Sequence, residues 1–193
     1  MKRNVYDFDG TIYRGDSTAD FFVYCLGRYP KIWRDFPGAV VMFAGMGLGL
    51  VEKTRAKERF YRFLTFVPDV ERSVTDFWQS HEINLEQWYL AEKTGDDLII
   101  SASPEFLLAP ICRQLEVSLL GSRVDPKTGK TDGINCHDEE KVRRMRKACP
   151  DTEILRFYSD SLSDAPLARL AQEAFLVRRG RRRPFFNGLR RRP

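Results

Sequence analysis

Apolar residues along the chain follow two different rhythms. In one, short apolar runs are each followed by polar residues and a helix-spaced segment: Val5 to Phe8, "DDLIIS", "VSLL", "EILRFY" and "AFLV" at 174 to 177. Runs of this length fit buried strands. Strands alternating with helices predict an α/β fold with a mostly parallel sheet. In the other rhythm, from Tyr13 to about Lys93, "STADFFVYCLGRYP", "KTRAKERFYRFLTFV" and "DVERSVTDFWQSHEINLEQWYLAEK" are long, aromatic-rich and helix-spaced, with Pro30, Pro37 and Pro68 as boundaries. The chain therefore divides into a core of residues 1–14 and 93–177, a helical insert of residues 15–92, and a basic segment of residues 178–193 expected to be flexible. An insert that leaves the core directly after the first strand should sit over that strand's C-terminal end, as a lid does.

Local signals refine the plan. "DDLIISASPEFLLAPICRQL" reads as strand, polar turn and helix, with Ser103 as N-cap and Pro104 at the first helical position. "VSLLGSRVDPKTGKTDG" reads as a strand and a hairpin around Pro-Lys-Thr-Gly, "HDEEKVRRMRKAC" as a charged helix, and "EILRFYSDSLSDAPLARLAQE" as strand, acidic turn and helix. The stretch "VYDFDGTIYRGDS" admits two readings. Asp-Gly between alternating apolar residues signals a hairpin; alternatively Val5 to Phe8 is a buried strand presenting Asp7 and Asp9 at the sheet edge where open α/β folds bind ligands.

Composition changes the picture in two places. With 193 residues, 42% of them hydrophobic, the chain can bury one good core and a small second unit. The net charge of +5 conceals an asymmetry: residues 178–193 hold eight arginines and no acid, three more than the net excess, so the preceding part is mildly acidic at −3. The segment's expected partner is an anionic membrane surface, and nucleic acid is not expected. Cys25, Cys112, Cys136 and Cys149 show no C-x-x-C spacing, and "MKRNVYDFDG" lacks an apolar signal core, which fits a cytoplasmic setting. Residues 36–51, "FPGAVVMFAGMGLGLV", are sixteen without a charge, shorter than the roughly 20 a spanning helix needs. They read as a buried insert helix or as an interfacial lipid contact.

The polar residues at the strand ends form a set. The first strand ends in Asp7 and Asp9, the second in Ser101, and the fourth in "YSDSLSD" with Asp160 and Asp164; Lys141 opens the intervening helix. Four carboxylates and one lysine on one sheet edge repel unless a cation sits among them, and hard divalent ions prefer oxygen. Mg²⁺ is the expected cofactor. Competing motifs fail: "DFDGTI" lacks an EF-hand's later ligands, "TGKT" at 128–131 has Val124 where a P-loop needs glycine, and Cys136-His137 has no zinc partners at suitable spacing. His81 is expected on the insert's surface.

Motif by motif, the set resembles the haloacid dehalogenase superfamily of phosphohydrolases: "DFDGT", then "ISAS", Lys141 and "SDSLSD" stand in that family's order. The insert after the first motif resembles the C1 cap of the phosphoserine-phosphatase-like branch. "HDEEKV" and "YSDSLSDAPL" are similar to the phosphatidylglycerophosphatase C type. The resemblance implies a Rossmann-like core and an Mg²⁺-dependent phosphomonoester hydrolase acting through an aspartyl-phosphate. Asp7 is then the nucleophile and Asp9 the acid/base. Ser101, the Ala102 N–H and Lys141 hold the phosphoryl group, and Asp16 lies near the substrate. Asp7, the Asp9 carbonyl, Asp160 and Asp164 surround the ion. The residue types agree with this chemistry, because a phosphate dianion demands positioning and charge neutralisation around an anionic nucleophile. The substrate is left as a phosphorylated small molecule or a lipid phosphate. A non-catalytic anionic-lipid or nucleic-acid binding module is the alternative from another class, and the intact Asp7/Asp9 pair weighs against it.

Overall fold

The computed structural model describes residues 1–34 and 58–186. Its centre is a six-stranded sheet in the order β3-β2-β1-β4-β5-β6, formed by β1 (Lys2–Tyr6), β2 (Leu98–Pro104), β3 (Ser118–Ser122), β4 (Glu153–Ser159), β5 (Ala171–Arg178) and β6 (Arg181–Pro184). The first five are parallel, and β6 returns antiparallel to β5. β1 pairs with β2 on one side and β4 on the other, so Asp-Gly after it makes no hairpin.

Side-chain alternation explains why both faces are covered. Val5, Leu98, Ile100, Ile154 and Phe157 face one layer with Val142 and Met145 of the helix Glu139–Ala148, while Tyr6, Ile99 and Tyr158 face the other with Leu107, Leu108 and Ile111 of the helix Glu105–Gln114. A parallel sheet buried on two faces needs apolar residues at both alternations, which is why its strands read as runs.

Among the described residues the insert holds α1 (Ser17–Arg28), α2 (Val70–His81) and α3 (Gln87–Glu92), with 3₁₀ turns at Pro30–Arg34, Arg62–Phe66 and Glu82–Asn84; the core helices Glu105–Gln114, Glu139–Ala148 and Ala165–Ala168 follow as α4, α5 and α6. Asp16 and Asp69 cap α1 and α2 by accepting from Ala19 and Arg72 N–H groups. Aromatic edges knit the insert together and to the core: Trp78 meets Phe8 and Tyr13 edge-on, and its indole N–H donates to the Leu107 carbonyl at 2.7 Å. α3 lies on the sheet, with Tyr89 edge-on to Tyr6 and Trp88 beside Tyr158.

Four local expectations need correction. β1 begins at Lys2 and ends at Tyr6, earlier than Val5 to Phe8, because after Asp7 donates to the Tyr158 carbonyl the chain folds back and Phe8 O accepts from Thr11, Ile12 and Tyr13. β2 runs through Ser103 to Pro104; Pro104 is the N-cap of α4, and Ser103 caps nothing. The expected hairpin after β3 narrows to a single bridge, Val124 to Thr131, around a turn whose N–H groups Asp125 accepts. The basic segment is not free of structure at its start. β5 extends to Arg178, and Arg179-Gly180, both with positive φ, form a two-residue turn into β6. Phe185 then packs on Phe157, buried. Residues 36–51 and 187–193 lie outside the described residues, among which no helix is long and apolar enough to cross a membrane.

Candidate active site

The C-terminal ends of β1, β2 and β4 open onto one cavity of about 690 Å³ whose walls include Asp7, Asp9, Ser101, Ala102, Lys141, Asp160 and Asp164, with Asp16, Thr18 and Tyr61 from the insert. Every residue expected at the site from sequence therefore faces the same space.

Its floor is an ion triad. Lys141 projects from the first turn of α5, 2% exposed, and donates to Asp7 Oδ1 at 2.7 Å and Asp164 Oδ2 at 2.8 Å. Ser159 also donates to Asp164 Oδ2 at 2.7 Å. Burial works against the lysine's charge, but Asp7 and Asp164 outweigh it and hold its pKa above the ordinary value. Burial raises Asp7 to about 7, with Lys141 opposing and Asp164 adding to the rise. Asp164, placed in a 3₁₀ turn after β4, is thus already the lysine's second anchor.

Asp9 faces different company. Its Oδ1 accepts from the Ser17 N–H at the start of α1 at 2.6 Å, and its Oδ2 accepts from the Ser103 hydroxyl at 2.5 Å. Burial raises it to about 6, against the pull of the Ser103 hydrogen bond. Asp160, also raised chiefly by burial, is held by its N–H donating to Thr11 Oγ1 at 2.9 Å. Gly10 is required beside it: φ is +68°, and a Cβ there would stand 2.4 Å from Asp160 Oδ2. Ser101 is fully buried, its hydroxyl accepting from the Ser103 N–H at 3.1 Å, and the Ala102 carbonyl accepts from Ser122.

Sequence reasoning passed over Ser103, Thr18, Tyr61 and His137, all on the cavity wall. His137 pairs with Asp138 at 2.7 Å. The signal that could have found Ser103 was its place two residues after Ser101 on one strand, which puts both on one face. His81 stacks on Phe77 at 4.1 Å, away from the site.

Among the described residues no three acidic, histidine or cysteine side chains are gathered as a metal cage. The donor chemistry nevertheless suits a hard cation: the site's carboxylates outnumber Lys141, and burial raises Asp7, Asp9 and Asp160 together. Two carboxylates supplemented by main-chain or water oxygens meet the preference of Mg²⁺, which keeps much of its water.

Residues 5–169 match the model of haloacid dehalogenase-like hydrolases, and the chain belongs to that family. It is a hydrolase by family. Protein CicA of Caulobacter vibrioides (strain NA1000 / CB15N) is 28% identical over 186 residues, covering 87% of this chain and 82% of CicA. The histidinol-phosphatase of Neisseria meningitidis serogroup C (strain 8013) is 24% identical over 206 residues, covering 90% and 88%. A Bordetella pertussis Tohama I protein of unknown function shares the fold with a TM-score of 0.72 at 22% identity, covering 90% of this chain and 88% of its own. A phosphoserine phosphohydrolase-like protein from Francisella tularensis subsp. tularensis SCHU S4 does so at 0.54 and 14%, covering 90% and 86%. These two structural likenesses speak for the fold alone.

Proposed function

We propose that the chain hydrolyses phosphate monoesters of small molecules through a phosphorylated Asp7, with Mg²⁺ as cofactor. The observation that carries this reading is the buried triad of Lys141 with Asp7 and Asp164 at 2.7 and 2.8 Å, opening on a cavity that Asp9 and Asp160 share. An Asp7 carboxylate oxygen attacks phosphorus, and the phosphorus–oxygen bond to the alcohol breaks as Asp9 delivers its proton to the departing oxygen. Asp9, now ionised, takes a proton from water; that water's oxygen attacks phosphorus, releasing inorganic phosphate and the Asp7 carboxylate. Lys141, the Ser101 hydroxyl and the Ala102 N–H would hold the phosphoryl oxygens. Asp7, the Asp9 carbonyl and Asp160 would hold the ion, with Asp164, already engaged by Lys141 and Ser159, acting through water. The ion supplies charge neutralisation at the phosphoryl group.

A cavity of about 690 Å³ is the size of small-molecule sites. The histidinol-phosphatase name among the relatives favours a compact, amine-bearing monoester, for which Asp16 on the insert side is the available anion. Turnover of histidinol phosphate, phosphoserine, glycerol phosphate and lysophosphatidyl substrates, each with Mg²⁺, tests the reading. Hydrolysis of a small monoester that Asp7→Asn abolishes is the expected result. Preference for the lysophosphatidyl class would move the substrate to lipid phosphates. Full activity in Asp7→Asn would refute the mechanism.

A further inference from the structure

Among the described residues no cation pairs with Asp9, yet both of its carboxyl oxygens are held. The Ser17 N–H takes Oδ1, and the Ser103 hydroxyl takes Oδ2 at 2.5 Å. Ser103, 6% exposed, is itself held: its Oγ lies 2.9 Å from Thr18 Oγ1 of α1. Tyr61 lines the same cavity as Thr18. Tyr61 is fixed from behind by the loop after β3, where Gly129, at φ +71°, packs so tightly that a Cβ would stand 2.4 Å from the Tyr61 carbonyl. In the same contact, Glu58 accepts from the N–H and hydroxyl of Thr131.

The protons of this chain can be assigned by counting. Ser103 has one hydroxyl hydrogen, and an ionised Asp9 claims it. Thr18 must then donate to Ser103, giving a head-to-tail series of two hydroxyls ending on Asp9. Polarised in one direction, such a series strengthens its last bond. A hydroxyl can also donate to a carboxylate and accept from a carboxylic acid through the same oxygen, matching the two forms an acid/base passes through in each turnover.

From this geometry we infer that Ser103 is a positioning residue for Asp9, with Thr18 setting Ser103, so that the acid/base is aimed when the insert helix is docked on the core. The inference rests on the phosphatase reading above, with Asp9 as proton donor to the leaving group. Asp7 is not affected by it, because Lys141 fixes that residue from the opposite wall.

The measurement is leaving-group dependence. Phenyl phosphate and p-nitrophenyl phosphate have similar shapes, but only the first releases an oxygen basic enough to need protonation. Ser103→Ala should lower kcat/KM, which reports the phosphorylation step, for phenyl phosphate by roughly tenfold or more, a part of the effect of general acid catalysis. It should leave kcat/KM for p-nitrophenyl phosphate within a few-fold of wild type, while the shared hydrolysis step slows equally for both. Thr18→Val, a near-isostere at a half-buried helix position, should show the same ratio more weakly, and Ser103→Thr should restore it. Equal losses of kcat/KM on both substrates, or none, would overturn the assignment of Ser103. Should Ser103→Ala fail to fold, the ratio in Thr18→Val decides in the same way. A wild-type enzyme inactive on both substrates, or an Asp9→Asn variant with no leaving-group dependence, would instead overturn the phosphatase reading and the Ser103 assignment with it.

Discussion

Asp7 and Asp9 stand two residues apart on one cavity, and the protein treats them in opposite ways. Asp7 is answered by a full charge: Lys141, itself anchored by Asp164, comes from the core, and among the described residues none of the insert bonds to the triad. Among the same residues Asp9 is answered by neutral donors, the Ser17 N–H on the insert's first helix and Ser103 on β2, with Thr18 behind them. One carboxylate is held by charge from the core; the other is held by dipoles that come in part from the insert. A nucleophile must be ionised and fixed throughout, whereas a group that gives and takes a proton must not be locked into its ionised form by a lysine. The contrast is what a division of labour between attack and proton transfer requires.

The largest way to break this comparison is to remove the charge from the Asp7 side. Lys141→Ala leaves Asp7 and Asp164 buried and facing each other without their cation, and stripping one partner from a buried ion network costs about 3–5 kcal/mol. The variant should therefore lose both activity and a substantial part of its thermal stability, read by turnover and by calorimetry. Its stability should recover as pH falls and Asp7 protonates. Unchanged stability would show that the triad is not the floor of the site.

The next effect is on the ion. Asp160→Ala removes a charged ligand, and Mg²⁺ affinity should fall more than tenfold, about 1.4 kcal/mol, measured by titration calorimetry. The pH dependence has a definite sign. Asp7 carries a raised pKa of about 7, so protons compete with the ion for its carboxylate in that range, and wild-type Mg²⁺ affinity should weaken from about pH 8 to about pH 6. Affinity that is flat across this range would place the ion away from Asp7.

The smallest effect concerns the far edge of the sheet. Because β6 and buried Phe185 belong to the folded core, truncation after Val177 would unfold an edge as well as remove charge. The cleaner test is Arg181→Glu with Arg183→Glu, both exposed on β6. If these arginines meet an anionic surface, each contributes on the order of 1 kcal/mol. Co-sedimentation with anionic vesicles at low salt should then drop in the double variant while turnover of a soluble substrate is retained. Equal sedimentation of both forms would remove β6 as the contact.

What could be read from sequence followed from physical signals of unequal strength. The strand plan and the four site segments were legible because a buried parallel strand must be an apolar run and its polar residues must gather at one end. Ser103 was misread because Ser-Pro before a helix is also what an N-cap looks like; only the strand's continuation through Pro104 turns its hydroxyl to Asp9. β6 was missed because Arg-Arg-Arg-Pro has no apolar alternation, and its pairing is made by main-chain groups. The turn before it, Arg179-Gly180 after an apolar run, was the available hairpin signal. Asp164's bond to Lys141 could not be read at all, since 23 residues and a strand separate them.

The central claim, that Asp7 attacks and Asp9 moves the proton, is tested most directly by trapping the intermediate. In Asp9→Asn, p-nitrophenyl phosphate should still phosphorylate the enzyme, because its leaving group needs no proton, while the hydrolysis step lacks its base. Acid quench followed by mass spectrometry of the proteolysed variant should then find a phosphoryl group on the peptide bearing Asp7, and none in the variant that also carries Asp7→Asn. Steady turnover with no phosphorylated peptide, or a phosphoryl group on another residue, would contradict the account.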